Sequence, residues 1–402
     1  GLHSQAAFAT LPVGCSGADC VFPGMAGQDN GQGVNVGPES LNGPAAAHIA
    51  QSWDPELIYW HASMLGRIFA GSLKNAVLGP GAQVWRNAKC GRSWEYIPGE
   101  DPILGVLLVE AWTLGYNQQK VSPVLKHYIN NDKEVDRMLK KGKLTVPWET
   151  QMSLYLKPFV AGSNVGASAT MCGYHWLVDP GGGDPVSMCY NKRNKWLTEQ
   201  SKRTWMISDY PAMQMFKKYT VDEHGDQASE AGHSWANFGA WETELEYEHR
   251  TAKEQLTQSI GVAEEDNGHQ VMANEIDKAP RKLKNEYLQG FVGWAKELGI
   301  TGTTYGIEEK ANFWKDLPAT DKEKYYQWTS RTIAESFVLL KNKGNLLPLA
   351  ATDKVWLDAS CTGGAERQLT SQGSGEMAVH LFETKAETAF AGKTGDKAGA
   401  KL

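Results

Sequence analysis

The sequence lacks the marks of several protein classes. No apolar stretch approaches the ~20 residues that a membrane-spanning helix needs, so such a span is excluded. Basic runs are missing as well: 40 Lys and Arg stand against 46 Asp and Glu, and the net charge of −6 is spread along the chain. That leaves no electrostatic footprint for nucleic acid. CxxC, HExxH and zinc-finger spacings are absent, and neither a metal nor another cofactor is expected. Asn-x-Ser/Thr sequons are absent too, so glycosylation signals lend no support to secretion. The opening residues carry no legible signal peptide and read as a mature or trimmed start.

What the chain does have is core and spaced cysteine. Its 402 residues suit one large domain or two ordinary ones, and 41% hydrophobic residues with 15 Trp allow a sizeable interior. Of six cysteines, Cys15 and Cys20 bracket a short Gly-rich loop, and Cys172 and Cys189 bracket a loop containing Asp179-Pro180-Gly181-Gly182-Gly183. Both pairs are spaced to close small disulfide loops. That would place the chain in an oxidising compartment: extracellular, secretory lumen or periplasm. Buried free thiols are the alternative. Cys90 and Cys361 have no evident partner.

Residues 1–47, rich in Gly, Pro, Ala and Asn, read as irregular loops. Within them Asp29 precedes a tight glycine turn, where its carboxylate can meet a ligand hydroxyl or simply cap an Asx-turn. Helix is expected over 48–73, with Asp54 as N-cap and Pro55 at the first helical position. Asn75–Leu78 reads as a strand stopped by Gly79-Pro80. The loop from Val84 to Tyr96 is dense in Arg and aromatics, a composition suited to sugar: guanidinium groups donate paired hydrogen bonds and rings stack on apolar sugar faces. A helix follows from Asp101-Pro102. Val121–Leu125 is a strand that delivers Lys126 and His127, followed by the polar cluster Asn130-Asn131-Asp132. Residues 134–160 read as helix, loop and helix. Ala167–Cys172 is a strand delivering Tyr174. Thr204–Tyr210 is a buried strand that ends abruptly in the carboxylate of Asp209. Acids and cations at successive strand ends, with strands about 35–45 residues apart, suit the βα units of a parallel barrel. Charged helix is expected over Trp241–Leu256. Thr320-Asp321-Lys322-Glu323 reads as a capping box for a helix carrying Ile333, Phe337 and Leu340 on one stripe and ending near Gly344. A strand is expected at Lys354–Leu357, and a loose tail from 383.

Seven motifs in one order, over roughly residues 28–376, resemble those of glycoside hydrolase family 3, the β-glucosidase and β-xylosidase type. Ser52-Trp53-Asp54-Pro55-Glu56-Leu57 is similar to the family's TWDPEL, and Leu78-Gly79-Pro80 to its LGP. Cys90-Gly91-Arg92-Ser93-Trp94-Glu95-Tyr96 with Gly99-Glu100-Asp101-Pro102 resembles GRNxE…EDP. Lys126-His127-Tyr128, Met171-Cys172-Gly173-Tyr174 and Ser208-Asp209-Tyr210 resemble KHY, MCSY and SDW. Val338–Leu349 resembles the linker into the family's second domain.

The resemblance implies an α/β fold: a (β/α)8 TIM-like barrel, partly irregular, with a C-terminal linker and only the beginning of a second α/β domain. Residues 1–47 would contribute to the barrel rim, 48–320 form the barrel, 321–349 the helix and linker, and 350–402 a truncated second-domain remnant with a flexible tail. It also implies a retaining exo-β-glycosidase acting on terminal β-linked glucosyl or xylosyl residues. Asp209 would be the nucleophile and form a covalent glycosyl–enzyme. Asp29, Arg92, Lys126 and His127 would bind the terminal sugar. Tyr174 would orient the nucleophile, and Tyr210 would line the subsite in place of the family's Trp. Cys189 sits like the cysteine that many fungal members pair with Cys172.

One part of the pattern is missing. Most members take their acid/base from a glutamate in the second domain, whereas 53 residues follow Leu349 in this chain of 402. Asp132, a tail glutamate (Glu366, Glu376, Glu383 or Glu387) or another chain would have to supply it. The alternative is a catalytically degenerate member serving as a carbohydrate-binding or structural subunit. In that case a protein partner would cover the face that the second domain normally occupies.

Overall fold

A computed structural model of the chain describes residues 27–30, 33–34, 41–72, 74–135, 137, 143–178, 186–188, 205–209 and 317–348. Within the segment expected to be loop lie three short strands, β1 (Gly27–Asp29), β2 (Gly33–Val34) and β3 (Leu41–Asn42), and the helix expected over 48–73 is two helices, the first of which, α1 (Ala46–Ala50), starts inside the expected loop and is separated from the second at residues 51–54. Glycine and aspartate disfavour strand locally, but pairing with β4 (Ala76–Leu78) overrides that preference for β1. Helix α2 (Pro55–Gly71) opens as expected. The Asp54 carboxylate accepts from the backbone N–H of Glu56 at 2.9 Å and of Leu57 at 3.2 Å, ahead of Pro55. After β4 (Ala76–Leu78), helix α3 (Pro102–Gln118) repeats the device with Asp101, which accepts from Ile103 N–H at 2.7 Å.

Next come β5 (Ser122–Tyr128), β6 (Lys143–Thr145), α4 (Trp148–Thr150), a π-helical turn (Gln151–Tyr155) and α5 (Leu156–Asn164). Of the helix expected from 134, the described residues Glu134, Val135 and Arg137 are non-helical, residues 136 and 138–142 lie outside the described residues, and Lys143–Thr145 pairs as a strand with β8 (Trp176–Val178). The later strands are β7 (Ala169–Cys172), β8 (Trp176–Val178), β9 (Val186–Ser187) and β10 (Trp205–Ser208).

Five strands form one parallel sheet in the order β1-β4-β5-β7-β10. Among the described strands, spatial order follows chain order without the reversal that marks a doubly wound sheet. Strand β5 is buried along all seven residues, as a strand covered on both faces must be. Helix α2 packs on α3, and α3 on α5, as an outer layer. Helices α2 and α3 meet closely at Gly115, where a Cβ would collide with the Tyr59 carbonyl and Ala62. The core runs through Ile58, Phe69, Val77, Leu108, Trp112, Val124, Leu125 and Phe159.

Helix α6 (Ala319–Glu335) departs from expectation. Pro318 stands at its N-cap and no side chain caps it, so Thr320 lies inside the helix and the capping box does not form. The helix stops at Glu335. Phe337 and Leu340 therefore fall beyond it and are exposed instead of extending an apolar stripe. Among the described residues no helix is long and apolar enough to cross a membrane. The stretches Trp241–Leu256 and Lys354–Leu357 and the tail lie outside the described residues.

Candidate active site

All five parallel strands point their carboxyl ends toward one group of polar side chains. Asp29 ends β1. Lys126 and His127 sit late in β5, Tyr174 follows β7, and Asp209 follows β10. The Asp209 backbone N–H extends the sheet by donating to the Cys172 carbonyl at 3.0 Å, which seats the carboxylate at the strand end.

Lys126 and His127 are neighbours in sequence, and simple strand alternation would send them to opposite faces. A register shift resolves this. Lys126 pairs with Met171 and Tyr128 with Cys172, leaving His127 as the extra residue of a bulge. Bulges re-aim side chains in this way. The Lys126–His127 and Tyr128–Ile129 peptide bonds are cis.

The loop after β4 closes over the same end. Gly81 bridges to both Tyr96 and Lys126, with Ile97 N–H donating to Gly81 O at 2.9 Å and Ala82 N–H to Lys126 O at 2.7 Å. A Cβ at Gly81 would strike the Glu95 carbonyl, so the close approach requires glycine. The result sets Arg92, Glu95 and Tyr96 beside Lys126 and His127.

The charges interlock. Arg92 donates to Glu95 in bidentate fashion, Nε to Oε1 at 3.0 Å and Nη2 to Oε2 at 2.7 Å. Lys126 Nζ lies 3.2 Å from Asp29 Oδ1 and 3.7 Å from Glu95 Oε2. His127 Nε2 lies 3.3 Å from Asp209 Oδ2, while its Nδ1 is 2.7 Å from the Tyr96 hydroxyl. Asn131 Nδ2 donates to Tyr96 Oη at 2.7 Å and to Glu134 Oε1 at 3.0 Å. Glu134 pairs with Arg137 at 2.9 Å, and the Arg137 guanidinium lies 4.3 Å above the Tyr174 ring.

Burial raises the Asp209 carboxyl to about 6, although Arg92, Arg137 and Lys126 pull the other way. Burial, then Arg92, Lys126 and Arg137, hold His127 well below the usual histidine range, so its ring is neutral. Tyr174 is pushed up by burial first and by the Asp209 charge second. These groups set the Asp209 carboxylate beside buried cations that are themselves paired with the carboxylates of Asp29, Glu95 and Glu134.

The structure thus brings together six of the residues expected from sequence: Asp29, Arg92, Lys126, His127, Tyr174 and Asp209. Tyr210 lies outside the described residues. Sequence reasoning missed Glu95, Tyr96, Asn131, Glu134 and Arg137. The first two lie inside the Arg- and aromatic-rich loop, Glu95 at the E of the GRNxE-like motif, and Asn131 lies inside the polar cluster after β5. Asp132, considered as an acid/base, has both oxygens engaged: Oδ1 accepts from Arg86 N–H at 3.0 Å and Oδ2 from the Tyr155 hydroxyl at 2.8 Å. Cys90 is a buried free thiol. Cys172 is disulfide-bonded, and Cys189 lies outside the described residues. Among the described residues no cluster of three or more His, Cys, Asp or Glu is placed to hold a metal ion.

A thermostable β-glucosidase B of Acetivibrio thermocellus is 25% identical over 356 residues, covering 86% of this chain and 39% of the relative. The structure of β-glucosidase 3B from Thermotoga neapolitana in complex with glucose superposes with a TM-score of 0.66 at 20% identity, covering 94% of this chain and 48% of that one. The GH3 β-glucosidase of Bifidobacterium adolescentis gives 0.54 at 20%, covering 87% and 44%. The chain resembles the glycoside hydrolase family 3 β-glucosidases. It spans less than half the length of these three proteins. No family model matches it.

Proposed function

We propose that the chain is a glycoside hydrolase family 3 protein that works as a retaining exo-β-glycosidase on terminal β-linked glucosyl or xylosyl residues. The observation that carries this reading is Asp209: a largely buried carboxylate at the carboxyl end of β10, 3.3 Å from His127 and facing the Arg92–Glu95–Lys126–Asp29 network. In this reading the parallel sheet continues into a closed (β/α)8 barrel. Asp209 attacks the anomeric carbon, and Asp29, Arg92, Lys126 and His127 hold the ring hydroxyls. Tyr174 and Tyr210 flank the nucleophile.

The two engaged oxygens of Asp132 favour an acid/base from elsewhere, a tail glutamate or another chain. The same observation favours a second reading, a binding subunit with an intact sugar site and weak hydrolysis, because an acid/base contributes about 10²–10⁴-fold. A domain or protein covering the exposed Phe337, Leu339 and Leu340 belongs to either version. An oxidising compartment is supported by the disulfide at Cys172.

A 2-deoxy-2-fluoro glycoside with an activated leaving group needs little acid assistance and isolates the nucleophile. An intact-mass adduct that maps to Asp209 is the expected result. No adduct from gluco- and xylo-configured probes, with the protein folded, would overturn the hydrolase reading and leave the binding one.

A further inference from the structure

His127 faces Asp209 through one ring nitrogen and Tyr96 through the other, and the hydrogen bonds behind Tyr96 decide which nitrogen carries the proton. Glu134 Oε1 is an acceptor held by Arg137, so the Asn131 group 3.0 Å away must be its NH2. The second N–H of that same NH2 then donates to Tyr96 Oη at 2.7 Å. Tyr96 therefore receives a hydrogen bond from Asn131 and has its own phenolic hydrogen to place. The acceptor within reach is His127 Nδ1, at 2.7 Å. Burial pushes the phenol well above its usual range, so that hydrogen stays on oxygen. A ring nitrogen that accepts carries no proton, and the imidazole proton must sit on Nε2, toward Asp209 Oδ2.

We infer that Tyr96 is a positioning residue: by donating to His127 Nδ1 it locks the ring as the Nε2–H tautomer, with Nε2 3.3 Å from Asp209 Oδ2 but not aligned with it as a hydrogen bond. The placement of the proton stands on the hydrogen bonds alone. Its use, steadying the nucleophile's orientation, rests on the glycosidase reading above.

A carboxylate beside a histidine ordinarily draws a proton onto the ring. Here the surroundings resist that. Arg92 and Glu95 face the ring from the loop after β4, Lys126 from its own strand, Glu134 and Arg137 from the loop after β5, and His175 from beyond β7. Arg92, Lys126 and Arg137 all disfavour a further cation. With the ring held neutral, no fixed imidazolium sits against Asp209 to damp the nucleophilicity of its carboxylate. Nε2–H then remains a neutral donor that a small movement can align with the carboxylate or with a bound hydroxyl.

The test reads the tautomer directly. The full chain is labelled with ¹⁵N-histidine, and long-range ¹H–¹⁵N spectra are recorded from pH 5 to 8. Among ten histidines, His127 is assigned by the signals lost in His127→Gln. The wild type should show His127 neutral and Nε2-protonated across the range. Tyr96→Phe keeps the ring packing but removes the donor, and should shift the tautomer ratio toward Nδ1–H by about fivefold or more. An Nδ1–H ring or an imidazolium in the wild type overturns the proposal. So does an unchanged ratio in folded Tyr96→Phe. If that variant does not fold, the wild-type spectrum decides alone. These outcomes separate from the glycosidase reading. Absence of a fluoro-glycoside adduct with an Nε2–H ring would refute hydrolysis and leave the lock. An adduct with an Nδ1–H ring would do the reverse.

Discussion

Around Asp209, Arg92, Glu95 and Lys126 are almost fully buried and are held by partners of opposite charge. In the outer layer His61, on α2, is buried just as deeply, but neither ring nitrogen meets a partner; its ring packs edge-on against Trp112 at 5.7 Å. The difference shows what burial does to polar groups. Where opposite charges come with it, ions survive out of water and form a site. Where nothing comes with it, the group loses its charge, and burial alone takes the His61 ring down to about 4. His127 stands between the two cases, neutral because it is buried among cations.

The largest expected break of this contrast is Asp209→Asn, which should lower adduct formation by about 10⁴-fold or more. In the wild type the rate should climb as pH rises through about 6, because the nucleophile must be ionised. A rate that is flat from pH 5 to 7 would argue against Asp209 in that role.

Glu95→Gln comes next. It removes the bidentate partner of Arg92 and one of the carboxylates near Lys126, and should cost about 3–5 kcal/mol of stability, read by denaturant unfolding. A loss below about 1 kcal/mol would mean that the network is solvated and not a buried ion cluster.

His61→Leu sharpens the opposite side. The folded ring stays neutral down to about pH 4, while the unfolded ring takes a proton near 6.5. Folded His61 therefore binds fewer protons, and its contribution to stability falls as pH drops from 6.5 toward 4, by about 3 kcal/mol at the acid end. The variant should lose less stability than the wild type between pH 7 and pH 5. Parallel curves would show that the ring is hydrated.

The smallest effect belongs to Asp132→Asn, which should weaken the tie to Arg86 and Tyr155 by about 1–2 kcal/mol and leave adduct formation unchanged. A selective loss on substrates with poor leaving groups would return Asp132 to the role of acid/base.

The elements most legible in the sequence were those with local causes. Asp54-Pro55 and Asp101-Pro102 start helices because their side chains cap the N–H groups next to them. The strands at 76–78, 122–128, 169–172 and 205–208 are apolar runs that end where polar residues begin. Asp29, Lys126, His127 and Asp209 stood out because each ends such a run or adjoins a turn. The misses have non-local causes. Strand β1 exists through pairing with β4, against its own glycine content. The α6 capping box lost to Pro318, and its expected stripe was cut short at Glu335. Tyr96 looks like an ordinary loop residue until Gly81 draws that loop against β5.

By itself the sequence determined the parallel α/β character and the positions of most acids and cations, since periodicity, capping and strand ends are written within a few residues of chain. Tertiary structure alone decided that Lys126 and His127 face the same pocket, that Glu95 shares itself between Arg92 and Lys126, and that Asp132 is a tether. Each depends on a bulge, a close backbone approach or a hydrogen bond between segments far apart in the chain, and no local pattern encodes where those segments meet.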